Sequence, residues 1–519
     1  MFLVTQGTYG TFEYSWYPLT TEEFGVQPGQ HIPAHVVQKY LQPVTERFDL
    51  VSRIRFGVKV ISAAAEEGSR GWLLRTESAA GIETISCTKL IVATGVTSIP
   101  RIPDIPGSDE FQGPVIAYKD LTQVDKSAFI KGASLETVTV IGGSKSAHDA
   151  VYWSAIAGEK VNWVVPRSGN GVAWMTTSPT YLLSQQVIIE SLATTRLCSL
   201  FSPCIWGQAD GYRWPRWFLH ETRVGRCLVG FFWRTLGASV LASTGLHLPK
   251  GTELAKPDFD FQWQASSAGT LNYDGDFYSF LRSGQVVIHR KSLDKLTCEG
   301  IRLSDGSTLQ TDALIHCGGW RWTSPIQFEG ISSLEYGIPT KVDASRDMQE
   351  WKSQCQLTDA RILEKFPHLR SAPPEPYTSW CLHRAIAPPS QTCEKSAKNL
   401  AFLGLFSTLP TAALSEIQSL WAIAFLHHRV EVPETAMSSR RGAASWTRWS
   451  RLRYPFSQAS KYMDTSFDIV PYFDVLLSDM QLRSRRKSSW WRELIEPYSA
   501  ADYKGLVDEF KSSMDEGLR

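Results

Sequence analysis

A chain of 519 residues is long enough for two or three domains with substantial hydrophobic cores. Its 53 lysines and arginines balance 52 acidic residues, so the net charge of +1 excludes a general electrostatic attraction to nucleic acid. The 9 cysteines form no C-x-x-C pair, which argues against a zinc ribbon or a dithiol redox centre.

The N-terminal part of the chain predicts one helix and several strands. Gly7 and Gly10 predict turns in the first segment of the chain. Pro33 stands where a helix is predicted to start, and the residues that follow it form one apolar helical face. Strands are then predicted at 54–60, 72–76, 83–85 and 90–95. The last of these, LIVATG, is apolar and ends in small residues, so we expect it to be buried. A proline- and glycine-rich stretch at 100–114 predicts a linker between two modules.

The segment 137–167 predicts a βαβ unit, the most informative local pattern in the chain. An apolar strand ends at Gly142 and Gly143, a helical run with small residues on one face stops at Gly158, and a second strand covers 161–165. This order and this length are typical of dinucleotide-binding units.

The turn of this unit carries the phosphate-binding prediction. Gly142 allows a tight turn, Ala147 lets the helix pack close to the strand, and Ser144 stands where the G-x-G-x-x-G/A pattern has its second glycine. The N–H groups that begin the helix can face an anion. The residues predicted to bind a cofactor here are Gly142, Gly143, Ser144, Lys145, Ser146 and Ala147. An ordinary strand-to-helix turn is the alternative interpretation.

The end of the second strand indicates which dinucleotide is bound. An acidic residue there would hold the ribose 2′-hydroxyl of NAD, whereas an arginine accommodates the 2′-phosphate of NADP. This chain has Pro166 and Arg167 and no carboxylate before Glu190. The pattern favours NADPH, and a surface arginine at a strand end is the alternative.

One strand order occurs twice in the chain. An excursion of β-strands followed by a strand that ends in small residues appears at 58–95 and again at 286–319. The second copy has its βαβ unit at 137–167, and the first copy has none. We therefore expect that a preceding βαβ unit of about 40 residues is missing from this sequence.

The remaining segments allow coarser predictions. The tryptophan-rich region 176–245 is predicted to be helical, either as a cap over a substrate site or as a structural insertion. A strand at 400–405 precedes a helix from about Ser415 with one apolar face. The basic, aromatic segments after Val430 are interpreted as a solvated helical surface rather than a nucleic-acid site, because the overall charge is balanced.

Taken together, these pieces resemble the FAD- and NADPH-dependent flavoprotein monooxygenases of the flavin-containing and Baeyer–Villiger type, and most closely the fungal members of secondary metabolism. The matching pieces are the IVATG strand, the segment FQGPVIAY, the turn GGSKSAHDA, the strand end CGGW, and the strand and helix LAFLGL and EIQSLW. The resemblance covers most of the chain, from about Thr5 to about residue 430.

The resemblance implies an α/β fold with two Rossmann-like dinucleotide-binding domains, in which an NADPH domain is inserted into a split FAD domain. On this chain, 1–110 would be the first part of the FAD domain and 320–430 its second part. The intervening segments would be a linker at 111–136 and the NADPH domain at 137–319, with a helical insertion at about 176–250. A helical C-terminal extension would cover 431–519. Without the preceding βαβ unit, we expect the chain as printed to bind little FAD.

The resemblance also implies the chemistry. NADPH reduces the flavin, O2 reacts with it, and one oxygen atom passes to a hydrophobic small-molecule substrate. Gln6 aligns with the flavin-facing asparagine of the family and is the predicted catalytic residue, whereas Ala117 stands where a linker motif has histidine. The other residues predicted to bind a cofactor are Thr5, Val60, Ala93, Thr94, Gly95, Gly318, Gly319 and Gln418.

Two other functions stay open at this point: a catalytically silent paralogue that binds NADPH or a ligand, and a flavin-linked dehydrogenase or reductase that does not use O2. The pattern does not distinguish hydroxylation, epoxidation and Baeyer–Villiger insertion. The start of the chain carries no signal-peptide pattern, and the longest apolar run, 227–246, is interrupted by Arg234. We therefore expect a cytoplasmic protein with no transmembrane segment and no nucleic-acid partner.

Overall fold

A computed structural model describes residues 4–66, 71–122, 135–182, 185–246, 252–392, 397–433 and 435–516. Its strands are β1 (Val4–Thr8), β2 (His31–Pro33), β3 (Lys59–Ala65), β4 (Trp72–Ser78), β5 (Gly81–Cys87), β6 (Leu90–Val92), β7 (Val115–Ala117), β8 (Thr137–Ile141), β9 (Lys160–Val164), β10 (Met175–Thr176), β11 (Thr180–Leu182), β12 (Gln185–Val187), β13 (Gly269–Thr270), β14 (Val286–His289), β15 (Leu293–Thr297), β16 (Gly300–Leu303), β17 (Thr308–Gln310), β18 (Ala313–His316), β19 (Gln327–Glu329), β20 (Leu400–Phe402), β21 (Phe406–Ser407) and β22 (Met463–Asp464).

The α-helices alternate with these strands in the first half of the chain and dominate the last quarter. They are α1 (Thr21–Phe24), α2 (Ala34–Arg47), α3 (Lys145–Ile156), α4 (Ile189–Ala193), α5 (Arg196–Leu200), α6 (Arg213–Glu221), α7 (Arg223–Thr244), α8 (Phe261–Gln264), α9 (Ser279–Arg282), α10 (Arg346–Lys365), α11 (Thr411–Leu426), α12 (Ala436–Arg453), α13 (Ile469–Asp479), α14 (Trp490–Ile495) and α15 (Leu506–Glu516).

The chain divides into two compact units. The first unit contains residues 4–6, Ile99–Ile189 and Phe232–Arg321. Its centre is a five-stranded parallel sheet in the order β14-β9-β8-β18-β7. The helix α3 connects β8 to β9 and packs with them in one hydrophobic core, so the predicted βαβ unit is present. The segment predicted as a linker at 111–136 contributes β7 to this sheet.

A three-stranded antiparallel sheet, β15-β16-β17, is also part of the first unit. Its apolar side chains form a small core with residues of β8, β9 and β18. The segment predicted as a helical insertion at 176–250 begins with strands, since β11 and β12 form an antiparallel hairpin before the first helix. The mixed α/β fold with a parallel dinucleotide-type sheet confirms the predicted fold class.

The second unit contains Gly7–Ser98, Glu190–Phe231 and Trp322–Arg519. It includes a four-stranded sheet in the order β19-β3-β4-β5 and the parallel pairs β20-β6 and β21-β22. One of its hydrophobic cores joins β3, β4, β6 and β20. A separate aromatic cluster, centred on the fully buried Tyr40, holds α1 and α2 together.

Several predicted element bounds need correction. The strand predicted at 54–60 is wrong, because the strand runs from Lys59 to Ala65, and Phe56 and Gly57 before it form a turn. The strand predicted at 90–95 ends at Val92, and Ile91 within it is exposed rather than buried. It has a parallel neighbour, β20, on one side.

The basic, aromatic segment within α12 is also not the solvated surface that the charge pattern indicated, whereas Trp490 and Trp491 of the later segment are exposed. In α12, Trp449 and Arg453 are buried. Trp449 Nε1 donates to the Pro203 carbonyl at 2.6 Å, and Arg453 Nε donates to Ser202 Oγ at 2.8 Å. These partners lie about 250 residues away in sequence, so a local charge pattern could not reveal them.

One helix of the described chain, α7, is long and apolar enough to cross a membrane by length and composition alone. A third of its most apolar window is buried inside the protein. A core helix of a soluble protein meets the same criterion, so this finding does not by itself indicate a span.

Candidate functional site

The turn between β8 and α3 requires glycine at two consecutive positions. Gly142 has a φ of +133°, and a Cβ atom there would lie 2.9 Å from the carbonyl oxygen of Cys317 at the end of β18. A Cβ atom on Gly143 would overlap the carbonyl oxygen of Gly171. The Gly143 carbonyl accepts a hydrogen bond from Ala173 N at 2.7 Å. The turn is therefore held close to two neighbouring backbone segments, which leave no room for side chains.

The first helical turn of α3 presents backbone N–H groups next to these glycines. Ser144 is the N-cap residue, and its side chain makes no capping hydrogen bond. Its carbonyl accepts from Ala147 N and His148 N, at 3.0 and 3.1 Å, so the helix begins directly after the turn. The N-terminal amides of a helix are unsatisfied within the helix and favour an anion. This arrangement fits the pyrophosphate of a dinucleotide.

The side chain of Lys145, which was predicted to bind the cofactor, is held by contacts with neighbouring side chains. Its Nζ forms an ion pair with Asp149, one turn along α3, and lies 3.1 Å from the Tyr273 hydroxyl. Asp149 also accepts from the hydroxyls of Tyr273 and Tyr118, at 2.9 and 3.0 Å. Burial lowers the pKa of Lys145, and Asp149 opposes that shift. These contacts of Lys145 and Asp149 hold the first turn of α3 in place.

His148 lies in the first turn of α3, next to the glycine turn, and is fully buried. Its Nδ1 lies 3.0 Å from the Ser144 carbonyl, and its ring contacts the rings of Trp163 and Phe277. Burial lowers the pKa of His148 to about 4, more than the Ser144 carbonyl and Asp149 raise it. The imidazole is therefore neutral in the folded protein at neutral pH.

We predict that His148 makes the first unit sensitive to acid. Because the folded pKa lies below the unfolded value of about 6.5, the unfolded chain binds a proton first, and stability is lost as the pH falls from about 6.5 towards 4. The shift corresponds to about 3 kcal/mol. Thermal unfolding between pH 7 and pH 4 should show a shallower pH dependence in His148→Leu than in the parent. The matched control is the exposed His35→Leu, and equal slopes in all three proteins would contradict the assignment.

Arg167 lies just beyond the end of β9 and is exposed. Its Nε donates to the Arg290 carbonyl at 3.0 Å, which orients the guanidinium on the surface of the first unit. The position at the carboxyl end of the second strand of the βαβ unit is the one that the sequence indicated for contact with a ribose phosphate.

Gly318 and Gly319 follow β18, next to the end of β8 in the same sheet. A Cβ atom on Gly318 would overlap the His316 ring, and Gly319 has a φ of +77°. The Gly319 carbonyl accepts from Arg101 N at 2.9 Å. The two glycines form a close turn at the carboxyl edge of the parallel sheet, where α/β proteins bind ligands.

Thr5 and Gln6, predicted to face the flavin, lie in the part of β1 that belongs to the first unit. Gln6 is exposed, and its Oε1 accepts from Thr270 N at 3.1 Å. The preceding residue, Gly269, packs on the Lys145 side chain, because a Cβ atom on Gly269 would lie 2.9 Å from Lys145 Cδ. β13 therefore connects the predicted catalytic residue to the start of α3.

The other predicted site residues lie in the second unit. Ala93 and Thr94 are exposed at the carboxyl end of β6, and Gly95 follows with a φ of +65°. A Cβ atom on Gly404, just beyond β20, would lie 3.9 Å from the Gly95 Cα. Val60 is partly buried against the core of the second unit, in β3. The structure thus brings Gly95 together with Gly404 and leaves Val60 in a different sheet.

Gln418 is buried in α11 and connects two elements that the sequence did not associate. Its Oε1 lies 3.5 Å from Gly404 N, and its Nε2 donates to the Tyr472 hydroxyl at 2.9 Å. Tyr472 in turn donates to the Arg384 carbonyl at 2.7 Å. Gly404 could have been found from the LAFLGL pattern, where glycine follows a strand. Tyr472 carried no such signal, since it lies in the segment predicted as an extension.

A family model and several solved structures are similar to this chain. Residues 16–193 match the family model described as pyridine nucleotide-disulphide oxidoreductase. Solved structures of cyclohexanone monooxygenase share the fold, at 14–15% sequence identity. The alignment with the cyclohexanone-bound form has a TM-score of 0.53 and covers 92% of this chain and 87% of that chain.

Fungal proteins match over nearly the whole length. The FAD-dependent monooxygenase resA of Aspergillus sclerotiorum is 31% identical over 523 residues, which cover 98% of this chain and 89% of that protein. The FAD-dependent monooxygenase DEP4 of Alternaria brassicicola is 29% identical, and the alignment covers 98% of this chain and 86% of that protein. This chain therefore belongs to the family of FAD-dependent monooxygenases that these fungal proteins represent.

Proposed function

We propose that the protein is a flavin-dependent monooxygenase that uses NADPH and O2 to oxygenate a hydrophobic small molecule in secondary metabolism. The observation that carries the proposal is the glycine turn at the start of α3, in a chain that matches FAD-dependent monooxygenases along almost its entire length. The proposal includes a cytoplasmic location.

The residues of the first unit fit NADPH. The amides of Lys145 and Ser146, beside the backbone of Gly142, Gly143 and Ser144, would hold the pyrophosphate, because the first amides of a helix have no partner within the helix. Ala147 is buried against the sheet and keeps the helix close. Gly318 and Gly319 would line the nicotinamide side of the same sheet edge.

The second unit offers residues for FAD at the carboxyl ends of β6 and β20. Ala93 and Thr94 are exposed there, and the backbone around Gly95 approaches Gly404 closely. Gln418, fixed by Tyr472, would support this edge from α11. When bound, FAD would accept a hydride from NADPH and supply the reactivity towards O2. The protein groups bind it, orient it and exclude water.

The reaction of the intact system is testable by its stoichiometry. One NADPH and one O2 are consumed for each oxygen atom that enters the substrate, and the second oxygen atom leaves as water. NADPH oxidation by protein reconstituted with FAD should require O2, and labelled oxygen should enter an apolar test substrate. Oxidation at the same rate without O2 and with an added electron acceptor would instead indicate a flavin-linked dehydrogenase. NADPH binding without oxidation would indicate a silent paralogue.

We predict that Arg167 selects NADPH over NADH. A guanidinium paired with a 2′-phosphate makes a charge-assisted contact of roughly 1.5–3 kcal/mol, or about tenfold to a hundredfold in affinity. Titration should show that Arg167→Ala weakens NADPH binding by this factor and leaves NADH binding nearly unchanged. The matched control is Arg302→Ala, an arginine paired with Asp294 elsewhere in the first unit. An equal loss for both nucleotides would show that Arg167 only supports the fold.

We also propose that Gln6 governs how much reduced oxygen is released as H2O2. Its Oε1 is held by Thr270 N, so its amide has a fixed orientation next to the start of α3. Removal of this amide in Gln6→Ala should raise the H2O2 yield per NADPH without a change in melting temperature, since the side chain is exposed. The control is the exposed Gln27→Ala. A H2O2 yield equal to that of the parent would contradict the role.

A further inference from the structure

The helix α6 is amphipathic with its apolar face directed outwards. Its exposed residues include Trp214, Trp217 and Phe218, at the i, i+3 and i+4 spacing of one helical face. The buried face carries Arg216, Leu219 and His220. Aromatic side chains are normally the part of a surface helix that is buried. Three large aromatic side chains of α6 are therefore left exposed to solvent.

The polar residues on the inner face of α6 explain why the helix sits this way round. Arg216 Nη2 forms an ion pair with Asp210 at 2.6 Å, and its Nη1 donates to the Ser199 carbonyl at 2.9 Å. His220 Nε2 lies 2.8 Å from the Leu200 carbonyl. These buried contacts fix the rotation of α6 and with it the outward direction of the two tryptophans.

The first half of α7 extends the apolar surface. Val224, Leu228 and Phe231 are exposed at i, i+4 and i+7, again on one helical face. The backbone of Gly225 is pressed against the last turn of α6, where a Cβ atom would overlap the Phe218 carbonyl oxygen. The two helices thus meet closely at their junction. We call Trp214, Trp217, Phe218, Val224, Leu228 and Phe231 the 214–231 surface.

The charged residues around the 214–231 surface are mainly cationic. Arg213 and Arg223 are exposed, and neither forms an ion pair within the described residues. Arg226 is half-buried and donates to the Glu221 carbonyl at 3.0 Å. The exposed acidic group of this stretch is Glu221. An apolar aromatic face bordered by arginines is the composition of helices that lie in the interface of an anionic membrane.

The second half of α7 excludes the alternative of a membrane-spanning helix. Trp233, Leu236 and Val240 are buried in the first unit. A Cβ atom on Gly237 would lie 3.4 Å from the Trp174 ring, so the helix is packed closely there. The exposed side chains of this half are Arg234, Ala238 and Ala242, so the large exposed apolar side chains of α7 lie in its first half.

We propose that the 214–231 surface docks the protein onto the surface of an anionic lipid bilayer. The tryptophan and phenylalanine rings enter the headgroup region, and Arg213 and Arg223 contact lipid phosphates and carboxylates. A second copy of the chain is a less suitable partner for this surface than a bilayer. A twofold interface would place the same surface face to face and would bring these arginines together.

The experiment is flotation of the full chain with vesicles. Binding to mixed phosphatidylcholine and phosphatidylserine vesicles is expected, with weaker binding to phosphatidylcholine alone and a decrease at high salt. In Trp214→Ser/Phe231→Ser the partition coefficient should fall at least about tenfold, because two large apolar side chains no longer enter the interface. In Arg213→Gln/Arg223→Gln the preference for phosphatidylserine should be lost.

The matched control is Phe56→Ser/Leu357→Ser. These side chains are 73% and 65% exposed, close to the 77% of Trp214 and the 63% of Phe231, and they lie outside α6 and α7. The control should bind vesicles like the parent. No flotation of the parent, or an equal loss in the control, would overturn the proposal. A parent dimer in light scattering that becomes monomeric in Trp214→Ser/Phe231→Ser, with unchanged flotation, would assign the surface to a second copy instead.

Discussion

Replacement of Arg196 by methionine is expected to destabilise the second unit by about 3–5 kcal/mol. Arg196 begins α5 and is fully buried. Its Nε donates to Glu493 at 2.9 Å, and its two Nη groups bind both carboxylate oxygens of Asp474. Tyr498 accepts a further bond from Nη2 at 3.1 Å and donates to Glu493 at 2.6 Å. The arginine thus joins α5 to α13 and α14.

The large effect arises from what remains after the substitution. Methionine fills much of the volume of arginine but leaves the carboxylates of Asp474 and Glu493 buried without their cation. The measurement is the urea or thermal unfolding of the parent and of Arg196→Met. The control is Arg346→Met, because Arg346 forms an exposed ion pair with Glu350, and such pairs contribute little. Similar stability losses in both variants would contradict the role of Arg196.

The Arg196→Met effect should depend on pH in a specific direction. Burial raises the pKa of Asp474 to about 6, even though Arg196 opposes the shift. Without the arginine the folded pKa is higher still, above the unfolded value of about 3.9. The folded variant then binds a proton that the unfolded chain has released, so stability is lost as the pH rises through this window. The variant should therefore differ most from the parent at pH 7–8 and less at pH 5.

The sequence predicted the parts of the fold that depend on neighbours in the chain. The unit β8-α3-β9 was predicted within a residue or two, because its apolar periodicity and its two glycines lie within about thirty residues, the usual length of such a unit. The second excursion of β-strands, predicted within 286–319, likewise begins with a strand at 286–289. Local sequence patterns are sufficient to predict an element when the residues that pack together all lie in one short segment of the chain.

Contacts between distant segments could not be predicted in this way. Gln6 accepts from Thr270, which is 264 residues away, and Arg196 reaches Asp474 across 278 residues. A buried arginine has the same sequence signature as an exposed one, so the basic segment within α12 was wrongly predicted to be solvated. Likewise, LIVATG has an apolar composition, but composition does not say how many neighbours a strand has, and Ile91 is exposed.

Gly143→Ala is expected to abolish tight NADPH binding. The position needs no unusual backbone angle, so the effect is purely steric: a single methyl group overlaps the Gly171 carbonyl oxygen and lies 3.1 Å from Val165 Cγ1. Both obstacles are close, and the Gly171 atom belongs to backbone that the bond from Ala173 N to the Gly143 carbonyl holds in place. The turn must therefore move away from its present position.

A displacement of this turn carries the first amides of α3 with it, and these are the groups proposed to hold the pyrophosphate. A shift of about 1 Å at such a group costs on the order of a hundredfold, so NADPH affinity measured by calorimetry should fall by at least that factor. The matched control is Gly442→Ala in α12, where a Cβ atom meets nothing within 4 Å and alanine should stabilise the helix slightly. FAD content should be equal in both variants, because Gly143 and the proposed flavin-binding residues lie in different units. If Gly143→Ala binds NADPH like the parent, the turn does not hold the nucleotide, and the dinucleotide must bind elsewhere.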